Sequence, residues 1–308
     1  MPRPSPPSID DLLTRLLRIA ENLAWSWHEA AQRPFAMLDP IAWESTNHAP
    51  IETVLSTSKA RIAAAAADPR FLETLDAAER TLQDARRTPR WFKKSHRGRD
   101  RRLKVAYYCS EFAIHESMQQ YSGGLGVLAG DHVKSAEDLG VPLVGVGLLY
   151  RHGYYRQQFE ADGSQRVLYP EYDFARYPIE ETGLSVTCPI GRRSVVARIM
   201  RLGLGGTSLL LLDADLPENR PADRRLTEGL YKGEPDLRMR QQVLLGVGGA
   251  MALEAMDERP TVHHLNEGHA AFAAVERIAR LVEDGADQSD AIAQVRSSTV
   301  FTTHTPVP

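Results

Sequence analysis

Hydrophobic residues near the start of the chain follow the spacing of an amphipathic helix. Ser8 is suited to cap this helix at its N-terminus. The apolar positions of the helix share one face: Leu12, Leu16, Ile19, Leu23 and Trp27. Because polar residues occupy the opposite face, the pattern predicts a helix that packs a single stripe against a core.

Two more helices are predicted before the first strand, over residues 51–67 and 69–87. Asp68 and Pro69 are a favourable start for the second of them. We therefore expect a helical N-terminal domain over residues 1–88. Its core is expected to contain three indole rings, rather than to offer them to a sugar: Trp25, Trp27 and Trp43.

A buried strand, a loop rich in glycine, a helix and a second strand follow in that order. The first strand covers residues 105–108, which are β-branched, small or aromatic. The loop reads Tyr121-Ser-Gly-Gly-Leu-Gly126, the helix reaches Leu139, and the second strand begins at Val141. This pattern predicts a β-loop-α-β unit.

The segment after this unit is predicted to be rich in β-strands. A hairpin is expected over residues 153–169, because Asp162-Gly163 is a typical hairpin turn. Three more strands are expected at residues 184–189, 194–202 and 207–213. We interpret this segment as a β-rich insertion, followed by helices at residues 226–232 and 236–256, the second weakened by glycines unless another backbone packs close.

Strands and helices then alternate again. Strands are predicted at residues 261–265 and 299–303, with helices at residues 270–283 and 289–296 between them. Apolar strands in this order are typical of a doubly wound, Rossmann-like parallel sheet. We therefore expect an α/β fold, with a Rossmann-like lobe over residues 104–308.

Composition and charge narrow the classes of partner. Of the 308 residues, 43% are hydrophobic and 25% are charged, which is ordinary for a globular protein. The formal charge of −3 predicts no general attraction to nucleic acid or to an anionic membrane, and no segment has membrane-spanning length. The two cysteines are too few for a disulfide scaffold, so we expect a cytoplasmic protein.

Residues 89–103 are unusually basic. A run of this kind could grip phosphates, but it lacks the interleaved aromatic residues of a nucleic-acid site. We interpret it as a solvated linker between the two predicted domains.

Polar loops follow several of the predicted strands. Glu111 follows the first strand, Glu267 and His269 follow the strand at residues 261–265, and His304 follows the last strand. Ligands of a doubly wound sheet lie beyond the carboxyl ends of its strands. We therefore expect these loops and the glycine loop to share one crevice.

The glycine loop is a candidate anion site. Glycines at a helix N-terminus let backbone N–H groups approach a negatively charged ligand. Residues 124–129 also satisfy the GxGxxA dinucleotide pattern, but the acidic residue expected at the end of the next strand is absent, where the chain reads Tyr150-Arg-His152. The glycines could also serve only to make a tight turn.

Other chemistries are weaker or remain open. A metal site of His263, His264, His269 and Glu267 is disfavoured, because a strand directs adjacent histidines to opposite faces. Glu111 and Glu267 could form a glycosidase pair if they faced each other across a sugar. His269 and His304 could instead only hold their loops in place.

Five motifs, in this order, resemble the α-glucan phosphorylases of glycogen, starch and maltodextrin. They are Ser110-Glu-Phe112, residues 121–132 (YSGGLGVLAGDH), 148–157 (LLYRHGYYRQ), 264–272 (HLNEGHAAF) and 301–308 (FTTHTPVP). The chain is similar to the bacterial and archaeal branch over nearly its whole length. The resemblance implies the N-terminal helical domain and the first Rossmann-like lobe of a glycosyltransferase-B fold.

The resemblance also implies an activity and its cofactor. Members of the family transfer a terminal glucose of an α-1,4-glucan to inorganic phosphate and release glucose 1-phosphate, using pyridoxal 5'-phosphate. It implies catalytic roles for Glu111, Glu267 and His304. Substrate contacts are implied at Leu125, Gly126, His269 and His304. Gly123 and Gly124 would lie near the cofactor.

The family's Schiff-base lysine is expected outside this chain, because it belongs to the C-terminal lobe. Lys134 is interpreted as a surface residue. We therefore expect an N-terminal portion that is inactive alone and compatible with a homo-oligomer. The alternatives are a transferase of the starch or glycogen synthase kind and a glucan-binding fragment without catalysis.

Overall fold

The computed structural model describes residues 7–87 and 90–304. Within these residues, the helices before the first strand are α1 (Ile9–Ala20), α2 (Glu29–Leu38), α3 (Pro40–Ser45), α4 (Pro50–Ser56), α5 (Lys59–Ala67), α6 (Pro69–Arg87) and α7 (Trp91–Ser95). The later helices are α8 (Gly124–Leu139), α9 (Pro221–Arg224), α10 (Pro235–Val243), α11 (Gly249–Ala255), α12 (Phe272–Glu283) and α13 (Gln288–Ser297). Residues 1–6 and 88 of the expected helical domain, residue 89 of the expected linker and residues 305–308 of the last motif lie outside the described residues.

Local capping explains where the N-terminal helices begin. Ser8 and Asp11 form a reciprocal capping box at the start of α1, which confirms the predicted cap. The single helix expected over residues 51–67 is wrong, because α4 ends at Ser56 and Ser58 caps the next helix by accepting the backbone N–H of Arg61.

The strands form one mixed sheet and one separate hairpin. The strands are β1 (Val105–Tyr108), β2 (Leu143–Leu148), β3 (Arg156–Phe159), β4 (Gln165–Leu168), β5 (Ile179–Ile190), β6 (Arg193–Gly203), β7 (Ser208–Asp213), β8 (Val262–Asn266) and β9 (Thr299–Thr302). The sheet has the order β5-β6-β7-β2-β1-β8-β9. Strands β7, β2, β1, β8 and β9 are parallel, in the order typical of a Rossmann-like sheet.

The predicted insertion is part of this sheet. Its last strand, β7, pairs in parallel with β2, and β5 and β6 extend the sheet with antiparallel pairing. Only the β3–β4 hairpin forms a sheet of its own among the described residues, as the Asp162-Gly163 turn predicted.

Of the two helices predicted after the insertion, the first is absent and the second is present. The predicted helix at residues 226–232 is wrong, since one short turn at Arg225–Thr227 leads into a loop where Tyr231 has a φ of +54°. The predicted helix at residues 236–256 is continuous through a π-helical turn at Leu244–Gly248. A Cβ at Gly246 would lie 2.6 Å from the backbone nitrogen of Ala273. Another backbone therefore packs close to the helix at this glycine, which is the condition under which the helix was expected to form.

Alternate residues of the central strands contribute to two hydrophobic clusters. Tyr107 and Leu209 belong to the cluster that also includes the N-terminal helices, with Trp25 and Trp43 buried and Trp27 partly buried. The neighbouring strand residues Tyr108 and Leu210 belong to the cluster covered by α11 and α12. This period of two is the pattern of a sheet that is packed on both faces.

The predicted basic linker is more ordered than expected. It contains α7, whose Phe92 is buried. The guanidinium of Arg90 bonds to the buried carboxylate of Glu137 on α8 at 2.6 Å. The interpretation as a solvated linker is therefore wrong at these positions, while the proposed domain limits at residues 88 and 104 stay a prediction.

Candidate functional site

The predicted site residues come from the carboxyl ends of neighbouring parallel strands. Glu111 follows β1, Glu267 and His269 follow β8, and His304 follows β9. Since β1, β8 and β9 are adjacent and parallel, their ends lie along one edge of the sheet. We call this edge, together with the glycine loop at the start of α8, the rim.

Glu111 holds the glycine loop through hydrogen bonds to the loop backbone. Its side chain is buried, with 2% of its surface exposed. Its carboxylate accepts the backbone N–H of Ser122 at 2.7 Å and of Gly123 at 3.4 Å, and it accepts the hydroxyl of Tyr231 at 2.7 Å. These donors compensate the burial of a carboxylate. Glu111 therefore holds the loop, and this geometry does not support a glycosidase pair facing an open sugar site.

The glycines of the loop divide into two kinds. A Cβ added at Gly126 would lie 2.7 Å from the Glu111 carboxylate, and one at Gly130 would lie 2.1 Å from the carbonyl oxygen of Ala113. No described atom lies within 4 Å of a Cβ added at Gly123 or Gly124, and both residues are exposed. Gly126 and Gly130 thus serve internal packing, while Gly123 and Gly124 face open space.

Helix α8 begins at this open side. The N–H groups in the first turn of a helix lack partners within the helix, and the positive end of the helix dipole lies there. In this helix they belong to Gly124, Leu125 and Gly126. The open glycines beside them make this part of the rim suited to an anionic group.

A second network joins the ends of β1, β8 and β9. Asn266 is fully buried, donates to the Cys109 thiol at 3.3 Å and contacts the His304 ring at 2.8 Å. The Glu267 carboxylate accepts the backbone N–H of His304. Glu267 also has a φ of +62°, a backbone conformation that non-glycine residues rarely adopt. The two loops are therefore held together by several mutually dependent contacts.

A cavity of about 230 Å³ lies at the carboxyl ends of β1 and β2, and Tyr231, which bonds to Glu111, is part of its wall. Its walls include Ser110, Tyr150, Tyr231, Arg238, Gln241 and His269. Within the described residues, the Ser110 hydroxyl and the Nε2 atom of His269 are buried without a hydrogen-bond partner. Buried polar atoms of folded proteins are rarely left unpaired, so the two atoms are suited to a polar ligand or to water.

Burial also sets the charge state of His269. Desolvation lowers its pKa, although the carboxylates of Glu267 and Glu111 act in the opposite direction. The ring is therefore neutral at pH 7, and it can offer either a donor or an acceptor to a molecule in the cavity.

Sequence reasoning did not identify two residues that shape the site. Tyr231 was placed in a helix, although its loop conformation lets the hydroxyl reach Glu111. Asn266 was part of a motif but had no role, although it connects two strand ends. The sequence offered one indication for each residue. Asn266 directly follows the strand predicted at residues 261–265, and Tyr231 lies in a polar segment after the predicted insertion.

Lys134 differs from its interpretation as a surface residue. It is partly buried, and burial lowers its pKa. Burial lowers the pKa of His115, which packs against Trp25, and the positive charge of Lys134 acts in the same direction. Lys134 is therefore only partly exposed. Across residues 7–87 and 90–304, no cluster of three or more potential ligands could hold a metal ion, and no helix is both long and apolar enough to cross a membrane.

Comparisons with known proteins find relatives that are glycogen or maltodextrin phosphorylases. A family model described as "Protein of unknown function (DUF3417)" matches residues 9–118. The chain is 42% identical to a glycogen phosphorylase of Mycobacterium tuberculosis over 97% of its own length and 37% of that protein. It is 40% identical to a maltodextrin phosphorylase of Thermococcus litoralis, over 96% of the chain and 36% of that protein.

A more distant relative gives the same picture. The chain is 31% identical to a glycogen phosphorylase of Aquifex aeolicus, over 95% of its own length and 42% of that protein. The chain thus spans well under half the length of these relatives, a share that fits the expected N-terminal portion.

Proposed function

Because the chain belongs to the glycogen and maltodextrin phosphorylase family, we propose that its rim is one wall of a cleft for glucan phosphorolysis. In this reaction a terminal glucose of an α-1,4-glucan is transferred to inorganic phosphate, and glucose 1-phosphate is released. The opposite wall would come from the second lobe of a glycosyltransferase-B fold. The proposed domains are a helical domain over residues 1–88, a linker over residues 89–103 and the first lobe over residues 104–308.

The open side of the glycine loop carries this proposal. Gly123 and Gly124 leave room for a ligand at the N-terminus of α8, where a phosphate group is favoured. The cavity with the unpartnered atoms of Ser110 and His269 is connected to this loop through Glu111, whose carboxylate accepts both the Tyr231 hydroxyl in the cavity wall and the Ser122 amide in the loop. An anionic group and a polar sugar could therefore be bound side by side.

The other residues of the rim have positioning roles in this proposal. Glu111 acts through the amides of Ser122 and Gly123 that it holds, and Glu267 acts through the backbone of His304. His304 and His269 would then contact the glucosyl unit, together with backbone atoms of Leu125 and Gly126.

The residues present fit the phosphate of pyridoxal 5'-phosphate. The first-turn amides of α8, beside the open space at Gly123 and Gly124, would lie against that phosphate, as they suit any phosphate group. When bound, the cofactor supplies a phosphate that exchanges a proton with the substrate phosphate. We propose that its anchoring lysine is provided by the second lobe, as the family resemblance implies.

An activity assay tests the proposal. The chain alone, with maltodextrin, phosphate and pyridoxal 5'-phosphate, should release no glucose 1-phosphate. Addition of the remaining part of the Mycobacterium tuberculosis relative should restore release. Gly124→Asp should abolish the restored activity, because it places a negative charge where the phosphate binds. Leu55→Asp, at a position 63% exposed on α4, is the matched control and should leave it unchanged.

Two results would contradict this function. Turnover by the chain alone would show that the second wall is not required. Restored turnover that tolerates Gly124→Asp would remove the glycine loop from the site. Binding of ADP-glucose, without any phosphorolysis after addition of the second part, would favour a transferase of the synthase kind.

A further inference from the structure

A second cavity lies at the ends of β2 and β7. In the sheet, β7 lies beyond β2 on the side away from β1. The cavity measures about 250 Å³, and its walls carry three arginines and a histidine: Arg151, His152, Arg224 and Arg225. None of the residues in its walls lines the cavity of Ser110 and His269, so the two cavities are separate.

Ion pairs hold two of these arginines in place. The Asp215 carboxylate, which follows β7, bonds to Arg151 at 2.8 Å and to Arg224 at 2.6 Å. Arg151 also bonds to Glu171 at 2.8 Å. A guanidinium has five N–H donors. Arg224 directs its Nε and Nη2 atoms at Asp215, and its Nη1 atom has no acceptor among residues 7–87 and 90–304.

Two further groups in the cavity walls lack partners in the described part of the chain. The Arg225 side chain is exposed and forms no ion pair there. The Nδ1 atom of His152 is buried and has no hydrogen-bond partner there. The other acid of the walls, Glu228, already bonds to Lys232 at 2.6 Å. The acids of the cavity are therefore engaged, while Arg225 keeps an uncompensated positive charge.

The backbone around the cavity is fixed by hydrogen bonds. The N–H group of Arg151 donates to the carbonyl of Thr227, and that of His152 donates to the carbonyl of Glu228, both at 2.9 Å. These bonds join the segment after β2 to the segment that carries Arg224 and Arg225. A ligand would find the walls already in place, which lowers the entropic cost of binding.

We propose that this cavity binds a small molecule that carries a phosphate group. Arg225 and the Nη1 atom of Arg224 would contact the phosphate oxygens, because guanidinium groups match phosphate in charge and in geometry. An N–H group at Nδ1 of His152 would donate to a third oxygen. Pockets for drug-sized ligands usually exceed about 300 Å³. Inorganic phosphate or a small phosphate ester therefore fits this cavity better than a nucleotide.

A purely structural role would explain only part of the cluster. The ion pairs of Asp215 connect the two strand ends, and they account for Arg151 and for one side of Arg224. They give no role to Arg225. A structural role therefore predicts that replacement of Arg225 has no effect on ligands, whereas the proposal predicts a loss of affinity.

Titration of the 308-residue chain, followed by amide NMR, tests the proposal. Inorganic phosphate and glycerol 3-phosphate are the two probes, and the one that binds more tightly identifies the source of the phosphate group. Saturable shifts are expected at the amides of His152, Arg225 and Glu228. Arg225→Gln should weaken this binding by about tenfold or more. Arg70→Gln, which removes an exposed arginine of α6, is the matched control and should leave the affinity unchanged.

A second variant separates this cavity from the glycine loop. Gly124→Asp should remove binding at the glycine loop and leave the shifts at His152 and Arg225 unchanged. The proposal does not depend on phosphorolysis, so a glycine loop that fails to bind phosphate would contradict only the proposed function.

Four outcomes would overturn the proposal. They are the absence of saturable shifts at His152 and Arg225 with both probes, an unchanged affinity in Arg225→Gln, loss of these shifts in Gly124→Asp, and equal shifts with sodium chloride at the same ionic strength. The titration of the unaltered chain decides the question even if a variant does not fold.

Discussion

The rim contains a part whose polar groups satisfy one another and a part whose polar groups remain available. In the first part, Glu111 is bonded to the glycine loop and to Tyr231, and Asn266 is bonded to both neighbouring strand ends. In the second part, Ser110 and His269 have polar atoms without partners among the described residues, and Gly124 faces open space. The difference separates residues that hold the site from residues that can contact a ligand.

The largest effect is expected at Glu111. Glu111→Ala would leave the partly buried donors of Ser122 and Tyr231 without an acceptor, at a cost of about 2 to 4 kcal/mol in the free energy of unfolding. Urea denaturation measures this loss. Glu73→Ala, at an exposed position of α6, should change the value by less than about 0.5 kcal/mol. Equal effects at the two positions would show that Glu111 does not hold the loop.

The next effect contrasts two glycines of α8. Gly130→Ala would place a methyl group against the backbone of Ala113 and should cost about 1 to 3 kcal/mol. Gly124→Ala meets no described atom within 4 Å and should change stability by less than about 1 kcal/mol. Thermal unfolding of the two variants compares them directly. A Gly124→Ala variant as unstable as Gly130→Ala would mean that the loop is not open.

The histidines of the supporting structure should make stability depend on pH. Burial lowers the pKa of His263 to about 3 and that of His115 to about 4. The unfolded chain therefore binds protons that the folded chain does not bind. Stability should be greatest above about pH 6.5 and fall as the pH drops toward these folded-state values, by up to about 1.4 kcal/mol per pH unit for each histidine.

Urea denaturation between about pH 7 and pH 4 measures this dependence. His263→Gln should reduce the slope, because it removes one of the histidines whose pKa is lowered by burial. A slope identical to that of the unaltered chain would contradict the role assigned to His263.

The smallest effect on stability is expected at His269. Its Nε2 atom has no partner among the described residues, so His269→Ala should cost about 1 kcal/mol or less. Asn266→Ala should cost more, about 2 kcal/mol, because it breaks the contacts with Cys109 and His304. Chemical denaturation of both variants tests the order, and a reversed order would make His269 part of the support.

The strand pattern was largely predictable because hydrophobic alternation depends on nearby residues alone. The strands at β1, β2, β8 and β9 were expected close to their observed limits, and the mixed α/β class with a mostly parallel sheet is confirmed. The family was also predictable, since its motifs lie in continuous stretches such as residues 121–132.

The contacts between distant segments were not predictable. The bond from Tyr231 to Glu111 joins residues 120 positions apart, and no local pattern reports it. The same holds for Arg90 and Glu137, which turn part of an expected linker into packed structure. The break at Ser58 was missed because an alanine-rich segment outweighed a single capping residue.

Titration of the chain with inorganic phosphate, followed by amide NMR, tests most directly whether the open side of the rim is a binding surface. If this surface binds phosphate, saturable shifts are expected at the amides of Gly123, Gly124 and Leu125, with no comparable change at the exposed Gly183 and Gly285. Shifts spread over exposed arginines, with the amides of residues 123–125 unmoved, would contradict it.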